Sequence, residues 1–240
     1  MKVDPWLLVP EGVLVGGCEI ALEPQEARHA SGPLRLRAGS RVVLTDGVGS
    51  VTGAELTQCV RSDVIAVVDE VVTSVPPLPG PTVALGVLHT KAMDWAVQKA
   101  VEVGAATFVP LLCDRSQGSR RRALERVDHW RRVARQALKQ CRRPWGMQIE
   151  SPLTMADVLG GRLLPGLVAA PEGLTDVSGL TPHRMTLLVG PEGGLTLDEQ
   201  KALAGAGWST ITLGPHILRA ETAAVVGAAL LAMRMQAERG

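Results

Sequence analysis

The sequence predicts an α/β protein in which a mostly parallel sheet with helices on its faces follows a small β-rich domain. Three observations carry that prediction. Residues 1–75 hold several short runs rich in Val, Ile and Thr, separated by turn residues. Beyond Pro81, apolar runs of strand length alternate with segments whose apolar residues recur at helical spacing, the pattern of a parallel sheet with crossover helices. The composition agrees: 240 residues at 46% hydrophobic and 20% charged can bury a full core, 26 Gly and 16 Pro supply turns, and five Trp, one Phe and no Tyr leave that core to Val, Leu and Ala.

The elements follow in order. Arg41 to Leu44, Ala54 to Val60 and Val64 to Val72 read as strands, with Asp46-Gly47 as a hairpin turn, and their spacing suggests a small barrel. Residues 76–81, PPLPGP, form a stiff linker and the expected domain boundary. In 82–240 the pattern opens with a strand over Pro81 to Leu88. Asp94 then caps a helix bearing Ala96, Val97, Ala100 and Val101 on one face, and Gly104 ends it. Thr107 to Cys113 is the next strand. From Arg122 to Cys141, the stripe Leu124, Val127, Trp130, Ala134, Leu138 and Cys141 marks a helix whose other faces are filled by arginines. Strands at Leu167 to Ala170, Met185 to Val189 and Ser209 to Leu213 come next. The last two flank a helix opened by the capping box Thr196 and Glu199, and an Ala-rich helix closes the chain from Glu221 to Gln236.

The net charge of +1 conceals an asymmetry, because residues 115–143 hold eleven Arg and Lys against Glu125 and Asp128, a local balance of +9 that leaves −8 elsewhere. The four cysteines form no CxxC pair, and the five histidines never fall at metal-ligand spacing, so neither a disulfide scaffold nor a metal site is expected. The start, MKVDPWLLVPEG, is too short an apolar run for a secretory signal, and the prolines of 76–81 break the charge-free stretch from Val71 to Thr90 that could otherwise span a bilayer. The expectation is a soluble, reduced, cytoplasmic protein that does not engage a membrane. There is no GxGxxG after a strand, no GxxxxGK[ST], no GxSxG and no HExxH, which removes Rossmann, P-loop, esterase and zinc-protease readings.

Parallel sheets bind ligands beyond the carboxyl ends of their strands, so the loops there are the places to look. Two stand out: Gly190-Pro191-Glu192-Gly193-Gly194 after MTLLV, and LGPHILRAET, Leu213 to Thr222, leading into the last helix. Glycine lets a ligand lie against backbone N–H and C=O groups, which suits an adenine or an amino-acid moiety. Ordinary strand-to-helix turns also carry Gly and Pro. A turn needs neither Arg219 nor Glu221 at the helix start, and that pair favours a site.

LLVGPEGGLTLDE followed by LGPHILRAETA resembles the paired signature of the RsmE family, SPOUT-class methyltransferases acting on N3 of a uridine in small-subunit ribosomal RNA. The similarity extends to ARHASGPLRLRAGSRVVLTDGVG, KAMDWAVQKAVEVGA and the KQCRR segment near Gln140, and so covers nearly the whole chain. The resemblance implies a PUA-like RNA-binding β-barrel over 1–75 and, over 82–240, a SPOUT domain whose carboxy-terminal segment is threaded into a trefoil knot holding S-adenosylmethionine as methyl donor, without a metal. It also implies a homodimer with donor sites near the subunit interface, and 16S ribosomal RNA, within the small subunit, as partner.

Carried over by position, the donor pocket comprises Ala169, Ala170, Val189, Gly190, Glu192, Gly193, Leu213, Gly214, Ile217 and Leu218, and the catalytic pair is Arg219 and Glu221. Losing the N3 proton requires a positive group near the base oxygens and a proton acceptor. Arg219 is the candidate for the first, with Glu221 accepting the proton or orienting Arg219; the other reading of Glu221 is a cap of the last helix, favoured by its dipole. The candidates for RNA contact are Arg35, Arg37, Arg122, Arg126, Arg132, Arg142 and Arg143, with phosphate neutralisation that weakens in salt. His216, Ala220, Lys139 and Gly32 depart from the family pattern, where Arg, Thr, Glu and Arg are usual. Trp145 either stacks on a base or packs a loop, Lys99 and Glu102 form a surface pair, His29 and His89 are turn or strand-end residues, and Leu230, Leu231 and Met233 are core or dimer contacts. The remaining alternatives are a non-catalytic RNA-binding protein and a SPOUT methyltransferase with another RNA target.

Overall fold

A computed structural model describes residues 4–164, 166–174 and 185–237. The chain divides into two units, Met1–Pro77 with Leu138–Gly146, and Leu78–Ala137 with Met147–Gly240. The break at Pro77 falls inside the proline-rich linker; the return of residues 138–146 to the first unit has no counterpart in the sequence pattern.

In the first unit the elements are β1 (Trp6–Leu8), β2 (Glu19–Ala21), α1 (Pro24–Ser31), β3 (Arg41–Thr45), β4 (Ser50–Val60), β5 (Asp63–Val68) and β6 (Thr73–Ser74). Period-two alternation buries Val42, Leu44, Ala54, Leu56, Val64, Ala66 and Val68 in one core, to which α1 adds Ala27 and Ala30. The β3–β4 hairpin turns where expected, with the Asp46 carboxylate accepting from the backbone N–H groups of Val48 at 2.9 Å and Ser50 at 3.0 Å. The sheet runs β1-β3-β4-β5-β2 with β6 on β4, and only β1–β3 is parallel. Its three-residue edge strands β1 and β2 do not pair, so the described strands form an open mixed sheet instead of the closed barrel the spacing suggests. β5 also stops at Val68, short of the expected Val72; beyond it Asp69 pairs with Arg41 at 2.6 Å and Val71 is exposed.

Helix α1 escapes a sequence reading because its buried face is Glu26, Ala27 and Ala30, not an apolar stripe. Glu26 is buried because Lys139, returning in the 138–146 segment, places its ammonium 2.7 and 3.0 Å from the two carboxylate oxygens, one of which also accepts from the Leu8 N–H at 3.2 Å. Lys139 is therefore a core ion-pair partner. Gly32 ends α1, where a Cβ would stand 2.9 Å from the Arg28 carbonyl oxygen. Trp145 donates to the Val75 carbonyl at 2.6 Å and lies over Gly49, which makes it loop packing.

Burial pushes His29 below its ordinary pKa, the Lys139 charge adds to this, and Glu26 partly opposes it. Unfolded His29, titrating near 6.5, then binds more protons than folded His29, so stability is full above that pH and is lost as pH falls through the folded value. Denaturant melts between pH 7.5 and 5 should show a declining midpoint that flattens in His29→Gln; parallel profiles for the two proteins would refute this.

In the second unit the elements are β7 (Thr82–Gly86), α2 (Thr90–Glu102), β8 (Thr107–Leu112), α3 (Arg120–Cys141), β9 (Gln148–Ile149), β10 (Leu153–Thr154), α4 (Met155–Asp157) leading into a π turn at Val158–Arg162, β11 (Leu167–Leu174), β12 (Thr186–Val189), α5 (Leu197–Gly205), β13 (Ser209–Ile211) and α6 (Ala220–Ala237). The last turn of α3 belongs to the first unit. All described pairings are parallel, in the order β10-β8-β7-β12-β11-β13 with β9 on β8. The central strands are apolar on both faces, with Val83, Ala84, Leu85, Phe108, Val109, Leu187 and Leu188 fully buried, as a sheet covered on both sides requires. Gly227 lets α6 lie against β12, since a Cβ there would stand 2.5 Å from Leu187.

Helix α2 begins four residues before the expected cap. Its N-cap is His89, whose N–H donates to Glu192 at 3.1 Å, a partner 103 positions away that local pattern cannot supply. Asp94 instead sits inside the helix, held by His129 at 2.8 Å and Arg126 at 3.3 Å. Gly104 ends α2 with φ of +95°, its N–H donating to Val101 at 3.1 Å. Lys99 and Glu102 pair at 2.8 Å. Among the described residues no helix is long and apolar enough to cross a membrane.

Candidate active site

Because every described strand of the second sheet runs the same way, the carboxyl ends gather on one edge, and residues of β11 together with those following β7, β8, β12 and β13 enclose a cavity of about 1250 Å³. Each donor-pocket residue expected from the sequence lines it: Ala169 and Ala170 of β11, Val189 ending β12, Gly190, Glu192 and Gly193, and Leu213, Gly214, Ile217 and Leu218 after β13. So do Arg219, Glu221, His216 and Ala220.

The glycine loop is built by its neighbours. Gly194 turns with φ of +70°, its N–H donating to the Pro191 carbonyl at 2.8 Å. Glu192 is spent on the His89 N–H, and the Gly193 carbonyl accepts from Arg115 at 2.9 Å. At the end of β7, a Cβ on Gly86 would fall 2.4 Å from the Pro191 nitrogen, so strand and loop touch backbone to backbone. Beneath, the buried Glu199 completes the capping box of α5, accepting at 2.8 Å from the Thr196 N–H, and takes the Asp114 N–H at 2.9 Å.

The second loop is tied where the Thr212 hydroxyl shares its one proton between the Pro171 and Gly214 carbonyls, both at 3.2 Å. Gly214 takes φ of +129°, with nothing within 4 Å of where a Cβ would stand. Among the described residues, the backbone groups of Leu213, Ile217 and Leu218 make no hydrogen bond within the protein, so they are free to serve a ligand. Arg219 supplies the carbonyl that accepts the Ala223 N–H at 2.8 Å, and Glu221 stands in the first turn of α6. Among the described residues no ion pair joins them, which leaves Arg219 available to a ligand.

Sequence reasoning missed several cavity residues. His89, Lys91 and Ala92 come from the start of α2, ahead of the cap the sequence suggests at Asp94, and Trp95 stands one residue past that cap, outside the strand-end loops. Arg115 follows β8 and was open to the strand-end rule. Trp208 and Gln200 reach the cavity from α5 and its exit, for which the sequence carries no signal. The arginines expected to touch RNA divide: Arg35, Arg37, Arg122, Arg132 and Arg142 are exposed, Arg126 is held by Asp94, and Arg143 is half-buried, with burial pushing its pKa down.

Residues 76–232 match the RNA methyltransferase domain family. Fold and cavity thus define an RNA methyltransferase. The ribosomal RNA small subunit methyltransferase E of Mycobacterium bovis is 33% identical over 224 residues, 88% of this chain and 84% of that protein, and its counterpart in Aquifex aeolicus is 31% identical over 172 residues, 66% and 70%. A Neisseria gonorrhoeae ribosomal RNA small subunit methyltransferase E, solved bound to S-adenosyl methionine, superposes with a TM-score of 0.85 at 25% identity, covering 97% of this chain and 98% of that one. The chain belongs to the ribosomal RNA small subunit methyltransferase E family.

Proposed function

We propose that this protein transfers a methyl group from S-adenosylmethionine to N3 of a uridine in 16S ribosomal RNA, in the cytoplasm. The observation that carries the reading is the convergence of two glycine loops and the pair Arg219 and Glu221 on one cavity at the carboxyl edge of a parallel sheet. The residues suit the donor: open peptide groups after β13 match adenine, apolar walls at Val168, Val189 and Leu203 match its faces, and about 1250 Å³ exceeds the roughly 300–1,000 Å³ of a single-ligand pocket, which leaves room for a nucleobase.

When bound, the donor supplies a methyl group made electrophilic by its sulfonium. The protein's part is to make the weakly basic imide nitrogen nucleophilic. Arg219 donates hydrogen bonds to a base oxygen, where charge collects as N3 loses its proton, and the amino end of α6 adds its dipole. Glu221 accepts that proton or orients Arg219. The walls from β11 and α5 exclude water, which strengthens the charge interaction.

For the RNA, the first unit acts as a PUA-like binding domain through Arg35 and Arg37, and Arg122, Arg132, Arg142 and Arg143 neutralise phosphates. The domain over 82–240 carries the trefoil knot of the SPOUT class. The protein is a homodimer, supported by the apolar residues Val226, Leu230 and Met233 exposed on one side of α6. Mass-spectrometric mapping of ribosomal RNA with and without this gene tests the activity: N3-methyluridine should disappear from small-subunit RNA in its absence. An unchanged level would overturn the reading and leave a non-catalytic RNA-binding protein.

A further inference from the structure

The cavity rim carries a cation that ties the glycine loop through one N–H and whose remaining donors the Arg219 mechanism does not use. Arg115 is exposed, lines the cavity, and rests on the glycine loop: one guanidinium N–H donates to the Gly193 carbonyl at 2.9 Å, and its aliphatic stem lies so close that a Cβ on Gly193 would be 3.2 Å from the Arg115 Cβ. Its own loop is firm. The Ser116 hydroxyl accepts from the Cys113 N–H at 2.9 Å and donates to the Leu111 carbonyl at 3.2 Å, and the Gln117 N–H donates to Val87 at 2.9 Å. Among the described residues, no carboxylate lies within 4.0 Å of the Arg115 guanidinium. Of its five donors one is spent on the protein among the described residues, and no described carboxylate compensates the charge.

We propose that Arg115 is a phosphate subsite for the RNA strand whose uridine enters the cavity, with the Gly193 carbonyl fixing the guanidinium so that its remaining donors grip a backbone phosphate. This rests on the RNA methyltransferase reading. A planar fork already oriented by one hydrogen bond loses little further freedom on gripping a second oxygen anion. The surroundings favour a polyanion over the small carboxylate of the donor. Five residues on, α3 opens with Arg120, Arg121 and Arg122 and no acid in its first turn, a placement the helix dipole opposes and a phosphate chain offsets. Lys91 stands on the same cavity from α2, two residues from the His89 that Glu192 holds, so cations flank the glycine loop on both sides.

The test is a salt series of binding to deproteinised small-subunit ribosomal RNA by wild type, Arg115→Gln and Arg115→Lys, with S-adenosylmethionine affinity measured by calorimetry. Arg115→Gln should weaken RNA binding about five- to tenfold near physiological salt and reduce the slope of log K against log salt by about 0.7, one phosphate on a single strand, while Arg115→Lys keeps the wild-type slope. A wild-type slope in Arg115→Gln overturns the subsite, including the case in which only donor affinity drops, for then Arg115 serves the donor loop. Methylation of small ribosomal subunits, from cells lacking this gene, by the wild-type protein is the control: its absence would sink the broader reading, whereas methylation with an unaltered Arg115→Gln slope sinks the subsite alone.

Discussion

Arg219→Ala is expected to slow methyl transfer about 10²- to 10³-fold, the range for removing one preorganised charge-stabilising group, while S-adenosylmethionine affinity stays within about threefold. The separation follows from where the residue stands. The donor loops are held by contacts that do not involve the Arg219 side chain: Glu192 to His89, Arg115 to Gly193, and Thr212 to Pro171 and Gly214. Its backbone carbonyl, which accepts from Ala223, survives the substitution, so α6 keeps its start. What is lost is a cation with no carboxylate partner among the described residues, facing the cavity where the uridine anion would form. Single-turnover transfer to ribosomal RNA under saturating donor measures the rate, and calorimetry the affinity. Transfer at the wild-type rate would remove Arg219 from the mechanism.

Lys139→Met should cost about 3–5 kcal/mol in the first unit, because it leaves the Glu26 carboxylate buried with only the Leu8 N–H. The side chains of the pair are 5% and 7% exposed, so water cannot take over the charge. At about 2–4 °C per kcal/mol, the thermal midpoint should fall by roughly 10 °C. The double variant Glu26→Leu with Lys139→Met should recover most of this, since replacing both partners removes the unpaired charge. A single variant that melts with wild type would show that the Lys139–Glu26 pair does not hold the first unit together.

The two substitutions mark the two kinds of position on this chain. Arg219 could be singled out by a local rule, because the ends of parallel strands are recognisable as apolar runs followed by glycine, and a ligand site follows from sheet direction alone. The start of α2 could not: the N–H of its N-cap, His89, is satisfied by the distant Glu192, and Lys91, ahead of the cap expected at Asp94, is missed with it. Lys139 reads locally as one more cation on a basic helix, and only the return of 138–146 to the first unit turns it inward. The same limit applies to the β-rich domain, whose strands alternate legibly while the closure of their sheet depends on edge strands three residues long.

By itself, the sequence determined the alternation of strand and helix, the two glycine loops and the family they resemble. Tertiary structure decided which charges are available. Arg126 is taken by Asp94, Lys139 by Glu26 and Glu192 by His89, whereas Arg115 and Arg219 are left to the cavity. The physical reason is range: periodicity and turn chemistry act over a few residues, whereas an ion pair or a cap is settled by partners tens of positions away, which meet only once the sheets have formed.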